Sequence, residues 1–230
     1  LHFTAQQEQQ EASQLSLESP SFILPHGLSL PVPLPDARLR LRQLLNVPED
    51  ERVILFMSRL HPKKGLDYLI PALGKLGNQR FTFLLAGSGS SDYEAEIDDL
   101  LVSAGIEERT YRSGFVEGEM KDLLLQGADI FALTSYSENF GVAVLEAMAV
   151  GLPVVVTPGV ALASVVEQYQ LGYVAELDVA AIASTLEHCL NHPQTTQEMG
   201  ASARQLVRQQ YSWARNASKL NEVYAAILKA

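Results

Sequence analysis

From residue 52 onward, short uninterrupted apolar runs alternate with longer stretches in which apolar and polar positions recur at helical spacing. The apolar runs lie at 53–57, 81–86, 130–133 and 153–157, with weaker ones at 109–112 and 172–175. Between them, 66–77, 92–104, 118–127, 141–150 and 161–169 are amphipathic and of helical length. Strands without polar alternation, separated by helices, belong to a parallel sheet covered on both faces. The pattern therefore predicts an α/β fold, a doubly wound parallel sheet with helices on both faces. The tail, from about 178 to 229, reads as two or three further helices, and no longer internal repeat is visible.

Upstream the pattern is different. Residues 1–20 are polar and rich in Gln and Glu, so they bury little surface alone and are expected to be a helix end plus linker. A strand-like run at 21–24 closes on Pro25-His26-Gly27. Pro31, Pro33 and Pro35 exclude a helix or a central strand. Residues 21–36 are thus expected to be a linker into the main domain, with Asp36 capping a helix over 37–45. The division is 1–20, a linker or the last piece of a preceding domain, and 21–230, the main domain.

Composition narrows the function. Seventeen Lys and Arg against 27 Asp and Glu give a net charge of −10. That balance argues against nucleic acid as a partner, while leaving room for a local basic pocket. Cys189 is the only cysteine, so no internal disulfide forms, which fits a reducing compartment. No apolar run approaches a membrane span, and no charged segment followed by an apolar one opens the chain. The first residue, Leu1, suggests a piece of a longer protein.

In doubly wound sheets, ligands bind beyond the carboxyl ends of the strands. Five strand ends here carry glycines, cations or carboxylates. After 53–57 comes Ser58-Arg59-Leu60-His61-Pro62-Lys63-Lys64-Gly65, three cations within six residues. Arg offers a planar donor fork, Lys a point charge and a helix start free N–H groups, a set suited to a phosphate or diphosphate. A solvated basic loop is the plain alternative. After 81–86 comes Gly87-Ser88-Gly89, a tight strand-to-helix turn or a close backbone approach to a ligand. Gly114-Phe115-Val116 follows 109–112, and Pro158-Gly159 follows 153–157.

The stretch 135–151 carries the most chemistry. Glu138 falls in a loop and Glu146 inside the next helix, eight positions on. A carboxylate within Val142-Ala143-Val144-Leu145-Glu146-Ala147-Met148-Ala149 needs donors, and vicinal sugar hydroxyls are natural ones. The N–H groups of Asn139, Phe140 and Gly141 would face a sugar or phosphate at the helix start. The alternatives are a carboxylate reaching solvent for Glu146 and a charge favoured by the helix dipole for Glu138. His188 and His192 stand four apart, a spacing that clamps metals, but a third ligand is lacking and a helix-end pair is the better reading. Neither a nucleophile elbow nor a P-loop is present.

Together these segments resemble the carboxy-terminal half of retaining glycosyltransferases of family 4, enzymes of the GT-B fold. The resemblance runs from about residue 23 to the end. It is carried by Ser58-Arg59-Leu60 with Lys63-Lys64-Gly65, Leu85-Ala86-Gly87-Ser88-Gly89, Gly114-Phe115-Val116, Ala128-Asp129-Ile130, and 135–151 with its E-x7-E pair, Glu138 and Glu146. It implies one of two Rossmann-like domains, with an acceptor-binding domain preceding it. It also implies roles: Arg59 and Lys64 on the donor diphosphate, backbone near Val116 on the base, Glu146 on the ribose. Gly87 and Gly89 would line the donor cleft. Glu138 and the amides of Asn139, Phe140 and Gly141 would hold the transferred hexosyl unit. In one place the chain departs: similar enzymes follow the last strand with two glycines and a glutamate, where this one has Pro158-Gly159-Val160-Ala161-Leu162-Ala163-Ser164.

The resemblance further implies a nucleotide sugar as the partner, no metal or other cofactor, retention of configuration, and a role in polysaccharide or glycoconjugate synthesis. A cytoplasmic location is expected, with any peripheral attachment to the inner membrane face belonging to the absent half. A nucleotide-sugar epimerase, a sugar phosphorylase and a non-catalytic nucleotide-binding module are the other readings.

Overall fold

The computed structural model describes residues 1–15 and 19–228. The expectations for 16–18 and 229–230 lie outside the described residues. The main sheet is assembled from β3 (Arg52–Met57), β4 (Phe81–Ala86), β5 (Thr110–Gly114), β6 (Ile130–Leu133), β7 (Val154–Val156) and β8 (Gly172–Val174), after two short strands, β1 (His2–Phe3) and β2 (Phe22–Ile23). Its order is β5-β4-β3-β6-β7-β8, and every pairing is parallel. The chain starts in the middle at β3, winds outward through β4 and β5, returns to the far side of β3 and winds outward again. The direction reverses between β3 and β6, which opens a crevice at their carboxyl ends.

Continuous apolar runs predict buried strands, and they are buried: Val53, Ile54, Leu55 and Phe56 of β3 are fully inaccessible, as are Phe83 and Leu84 of β4. Helices α3 (Leu66–Gly74), α4 (Ser91–Ala104), α5 (Gly118–Gly127), α6 (Val142–Val150) and α7 (Ala163–Gln168) connect the strands. They follow α1 (Gln6–Ser13) and α2 (Ala37–Leu45). The tail forms α8 (Val179–Asn191), α9 (Pro193–Gln210) and α10 (Trp213–Ile227). One continuous hydrophobic core is built from the central strands and helices α2 to α9, while α1 and α10 contribute no residue to it.

The amino-terminal expectations need correction. Residues 1–15 hold a strand as well as a helix, because β1 pairs in parallel with β2 across the intervening helix. Residues 21–36 are not a bare linker either. Leu28 N–H donates to Tyr211 at 2.7 Å and Asn216 donates to the Pro25 carbonyl at 2.5 Å, so the segment is strapped to the start of α10. Asp36 precedes α2 in a left-handed conformation, and its side chain caps nothing. Instead α2 is anchored by Arg42, fully buried, whose guanidinium donates to the carbonyls of Gly127 and Glu51 and pairs with Asp129. The His188 and His192 rings stack at 4.2 Å, and among the described residues no three metal-ligating side chains converge.

Candidate functional site

Two clefts open at the carboxyl ends of β3, β4 and β6, and they share Ser58, Arg59 and Ala143. The first, about 660 Å³, is mostly apolar and lies under Leu60, Gly87, Gly89, Tyr93, Phe115 and Val116, with Lys121 and Glu146 at one wall. The second, about 440 Å³, is lined by Arg59, Lys63, Lys64, Glu138, Asn139, Phe140 and Gly141. Every site residue expected from the sequence thus lines one groove.

The glycines have a structural reason of their own. At Gly87 φ is +140°, and a Cβ there would stand 1.9 Å from the Ser58 carbonyl oxygen. A Cβ on Gly89 would stand 2.4 Å from that of Leu60. The loops after β3 and β4 are packed backbone to backbone, so the tight-turn reading holds while both glycines also floor the cleft. Gly65 caps α3 at φ +70°, where a Cβ would meet the Thr134 carbonyl at 1.9 Å. It locks the cation loop against the end of β6, and it lines neither cleft.

Charges in the second cleft are paired in a particular way. Lys64 Nζ makes an ion pair with Glu138 Oε1, both side chains being about one-sixth exposed (15% and 17%). Burial, and then the charges of Arg59 and Lys63, lowers the Lys64 pKa from its ordinary value. Arg59 enters no ion pair among the described residues. The N–H groups of Asn139, Phe140 and Gly141 find no acceptor among the described residues. They precede α6 as a run of donors without a partner, of the kind a helix start leaves. Phe140 itself is buried, with His26 meeting its ring edge-on at 4.9 Å.

The departure after β7 is compensated. Glu138 N–H donates to Gly159 at 2.8 Å, and Ala161 N–H returns a bond to Glu138 at 3.1 Å. Val160, where the second glycine would stand, is fully buried beneath Gly141. The Glu138 loop is therefore laced in place, and Ser164 is exposed and lines neither cleft.

In the first cleft the Val116 N–H and C=O have no backbone partner among the described residues, leaving both for a ligand edge. Lys121 Nζ lies 2.8 Å from Glu146 Oε1. Lys121 was not legible as a site residue, since a lysine in the first turn of an amphipathic helix reads as solvated. Tyr93, in the first turn of α4, carries no signal in the sequence that sets it apart from a core aromatic. Its hydroxyl is buried without a partner among the described residues, and burial, then Asp67 and Glu96, pushes its pKa up to about 12.

A crossover sheet with this groove at its switch point is the arrangement in which doubly wound domains hold their ligands. The family model described as glycosyl transferases group 1 matches residues 38–206, and the chain belongs to that family. It is 31% identical over 190 residues to an uncharacterized glycosyltransferase of Methanocaldococcus jannaschii, covering 82% of this chain and 48% of that protein. It is 32% identical over 211 residues to the D-inositol 3-phosphate glycosyltransferase of an Arthrobacter species, covering 89% and 49%. Among solved structures, HepE of Anabaena in complex with UDP and glucose superposes with a TM-score of 0.88 at 25% identity, covering 98% of this chain and 62% of that one. Sucrose-phosphate synthase of Thermosynechococcus elongatus superposes equally well, at 0.88 and 24% identity, over 99% and 58%. The chain spans about half the length of the curated relatives it matches. Its fold is that of the carboxy-terminal domain of a GT-B glycosyltransferase. Among the described residues no helix is long and apolar enough to cross a membrane.

Proposed function

We propose that this chain is the donor-binding half of a retaining, family 4 glycosyltransferase that moves a hexosyl unit from a nucleoside-diphosphate sugar to an acceptor, in polysaccharide or glycoconjugate synthesis. One observation carries the reading: an apolar cleft with a carboxylate wall and a cationic cleft with a carboxylate join at Arg59. A nucleoside diphosphate sugar has the matching order of parts. The base lies against Val116 and the ribose hydroxyls bond to Glu146. The diphosphate lies between Arg59 and Lys64, and the sugar hydroxyls meet Glu138 and the amides of Asn139, Phe140 and Gly141. That HepE, similar in fold, is solved in complex with UDP and glucose supports a nucleotide sugar as the ligand of this groove.

Transfer breaks the bond between the anomeric carbon and the terminal phosphate oxygen, and the electron pair leaves with the phosphate. Arg59 and Lys64 stabilise that growing negative charge, which exists fully only in the transition state. To do so Lys64 gives up part of its hold on Glu138. Glu138 then faces a sugar ring acquiring positive charge, which it favours by position. With two cations on the diphosphate, the reaction runs without a metal. The acceptor binds in a domain that precedes residues 21–230.

The test is sugar transfer by the chain alone and by the chain joined to an amino-terminal half like that of its relatives, with chelator added and the product anomer read by NMR. Transfer with retention in the joined protein only, undiminished by chelator, is the expected result. Robust transfer by the chain alone, or inversion, would overturn the reading. Epimerised sugar or released sugar phosphate would assign the groove to a different GT-B chemistry.

A further inference from the structure

We propose that Lys121 is a positioning residue for ribose recognition, holding Glu146 so that the cleft distinguishes ribose from 2′-deoxyribose. The inference rests on the donor-site reading above and adds to it a residue which that reading did not use.

Glu146 stands in α6, a helix whose other residues are apolar, and such a carboxylate needs a donor. The protein supplies one. Lys121, in the first turn of α5, reaches across to Glu146 Oε1 at 2.8 Å, and both side chains line the 660 Å³ cleft. Glu146 makes no other hydrogen bond among the described residues, so Oε2 is left unpartnered. The carboxylate is therefore anchored by one oxygen and offers the other, a fixed acceptor for a hydroxyl rather than a swinging one. An ionised carboxylate has about four lone-pair sites, so one ammonium leaves ample capacity for a diol. Lys121 is about one-third exposed (34%) and Glu146 one-fifth (20%), so neither charge is sealed from solvent and a ligand can enter between them and the base pocket.

The pair has a competing explanation, an ordinary surface ion pair of α5 and α6, and such pairs contribute little. The two differ in what they predict. A surface pair leaves ligand discrimination untouched, whereas a positioning residue alters discrimination without altering the phosphate subsite.

The experiment measures binding of UDP, GDP and ADP, each beside its 2′-deoxy form, and of inorganic pyrophosphate. The proteins are the wild type, Lys121→Met and Lys121→Arg. Loss of one hydrogen bond to a charged group corresponds to about tenfold or more in affinity. The wild type is expected to prefer the ribonucleotide it binds by that factor, and Lys121→Arg to retain the preference. Lys121→Met is expected to keep less than about a third of it, with pyrophosphate affinity unchanged because pyrophosphate reaches only Arg59 and Lys64. A Lys121→Met protein with the wild-type ribose preference would overturn the proposal, as would an equal loss of pyrophosphate binding. Pyrophosphate binding without any nucleoside preference would also overturn it while leaving the diphosphate site standing. Failure of the wild type to bind either class would remove the donor-site reading itself.

Discussion

The two ends of the central sheet handle charge in opposite ways. At the amino end, Asp129 just before β6 is almost fully buried and saturated. It pairs with Arg38, Arg42 and, at 3.3 Å, Arg52, and it accepts the Val53 N–H at 2.7 Å. At the carboxyl end, Glu138 and Glu146 each have a single lysine, Arg59 has no ionic partner among the described residues, and a row of amides is unused. The first arrangement ties α2, β3 and β6 together and leaves nothing for a ligand. The second leaves its groups partly or wholly unpartnered, which under the proposed function a ligand of matching charge would complete. Buried charge with all its partners present is architecture, while charge with partners missing on one side is a site.

The sharpest way to separate the two ends is to remove a carboxylate from the amino end. Asp129→Ala leaves the buried Arg42 guanidinium without its counter-charge and is expected to destabilise folding by about 3–5 kcal/mol. Urea unfolding measures it, and a loss below about 1 kcal/mol would erase the contrast. At the other end the loss falls on chemistry. Arg59→Ala or Lys64→Ala in the joined protein is expected to cut transfer by ~10²–10³, on the scale of an oxyanion-hole donor. Near-normal turnover in both variants would refute their assignment to the diphosphate.

A third change probes the scaffold under the site. Gly87→Ala forces a left-handed residue into the Ser58 carbonyl and is expected to cost about 1–3 kcal/mol, with nucleotide binding weakened in proportion to the displaced loop. An unchanged melting temperature would show that the loop has slack. The smallest effect is one of pH. Because the Lys64 pKa is lowered, its ammonium is lost at a pH below the ordinary 10.5. A bound diphosphate prefers the charged form. Affinity should therefore be full at neutral pH and decline as pH rises through the lowered value, with Lys64→Arg removing the decline. Affinity that is flat up to pH 10.5 would contradict the burial that lowers Lys64.

The strand pattern made the fold legible because buried parallel strands are apolar on both faces; the six predicted runs are the six strands with ends shifted by a residue or two, the faintest falling on β5, a polar and largely exposed edge strand. The strand-end rule then collected Arg59, Lys64, Gly87, Gly89, Val116, Glu138 and Glu146 onto one rim. What stayed hidden was relational. The β1–β2 pairing joins residues 20 positions apart through two-residue strands too short to carry a period. Asp129 looked like part of a family segment, and only its three arginines, drawn from α2 and β3, reveal it as a structural hub. Lys121 is invisible without the packing of α5 beside α6. The glycines were legible as glycines, but whether they served a ligand or a neighbouring backbone needed the contacts of Ser58 and Leu60.

The central claim is that the carboxyl end binds a nucleoside diphosphate through Arg59 and Lys64. Ligand-observed NMR with UDP, GDP, ADP and their sugar conjugates, on the chain and on the joined protein, each beside its Lys64→Ala variant, tests it most directly. The account predicts that one nucleotide binds the wild type and is lost in the variant. Binding of equal strength in the two, or none to the joined wild-type protein, would contradict it.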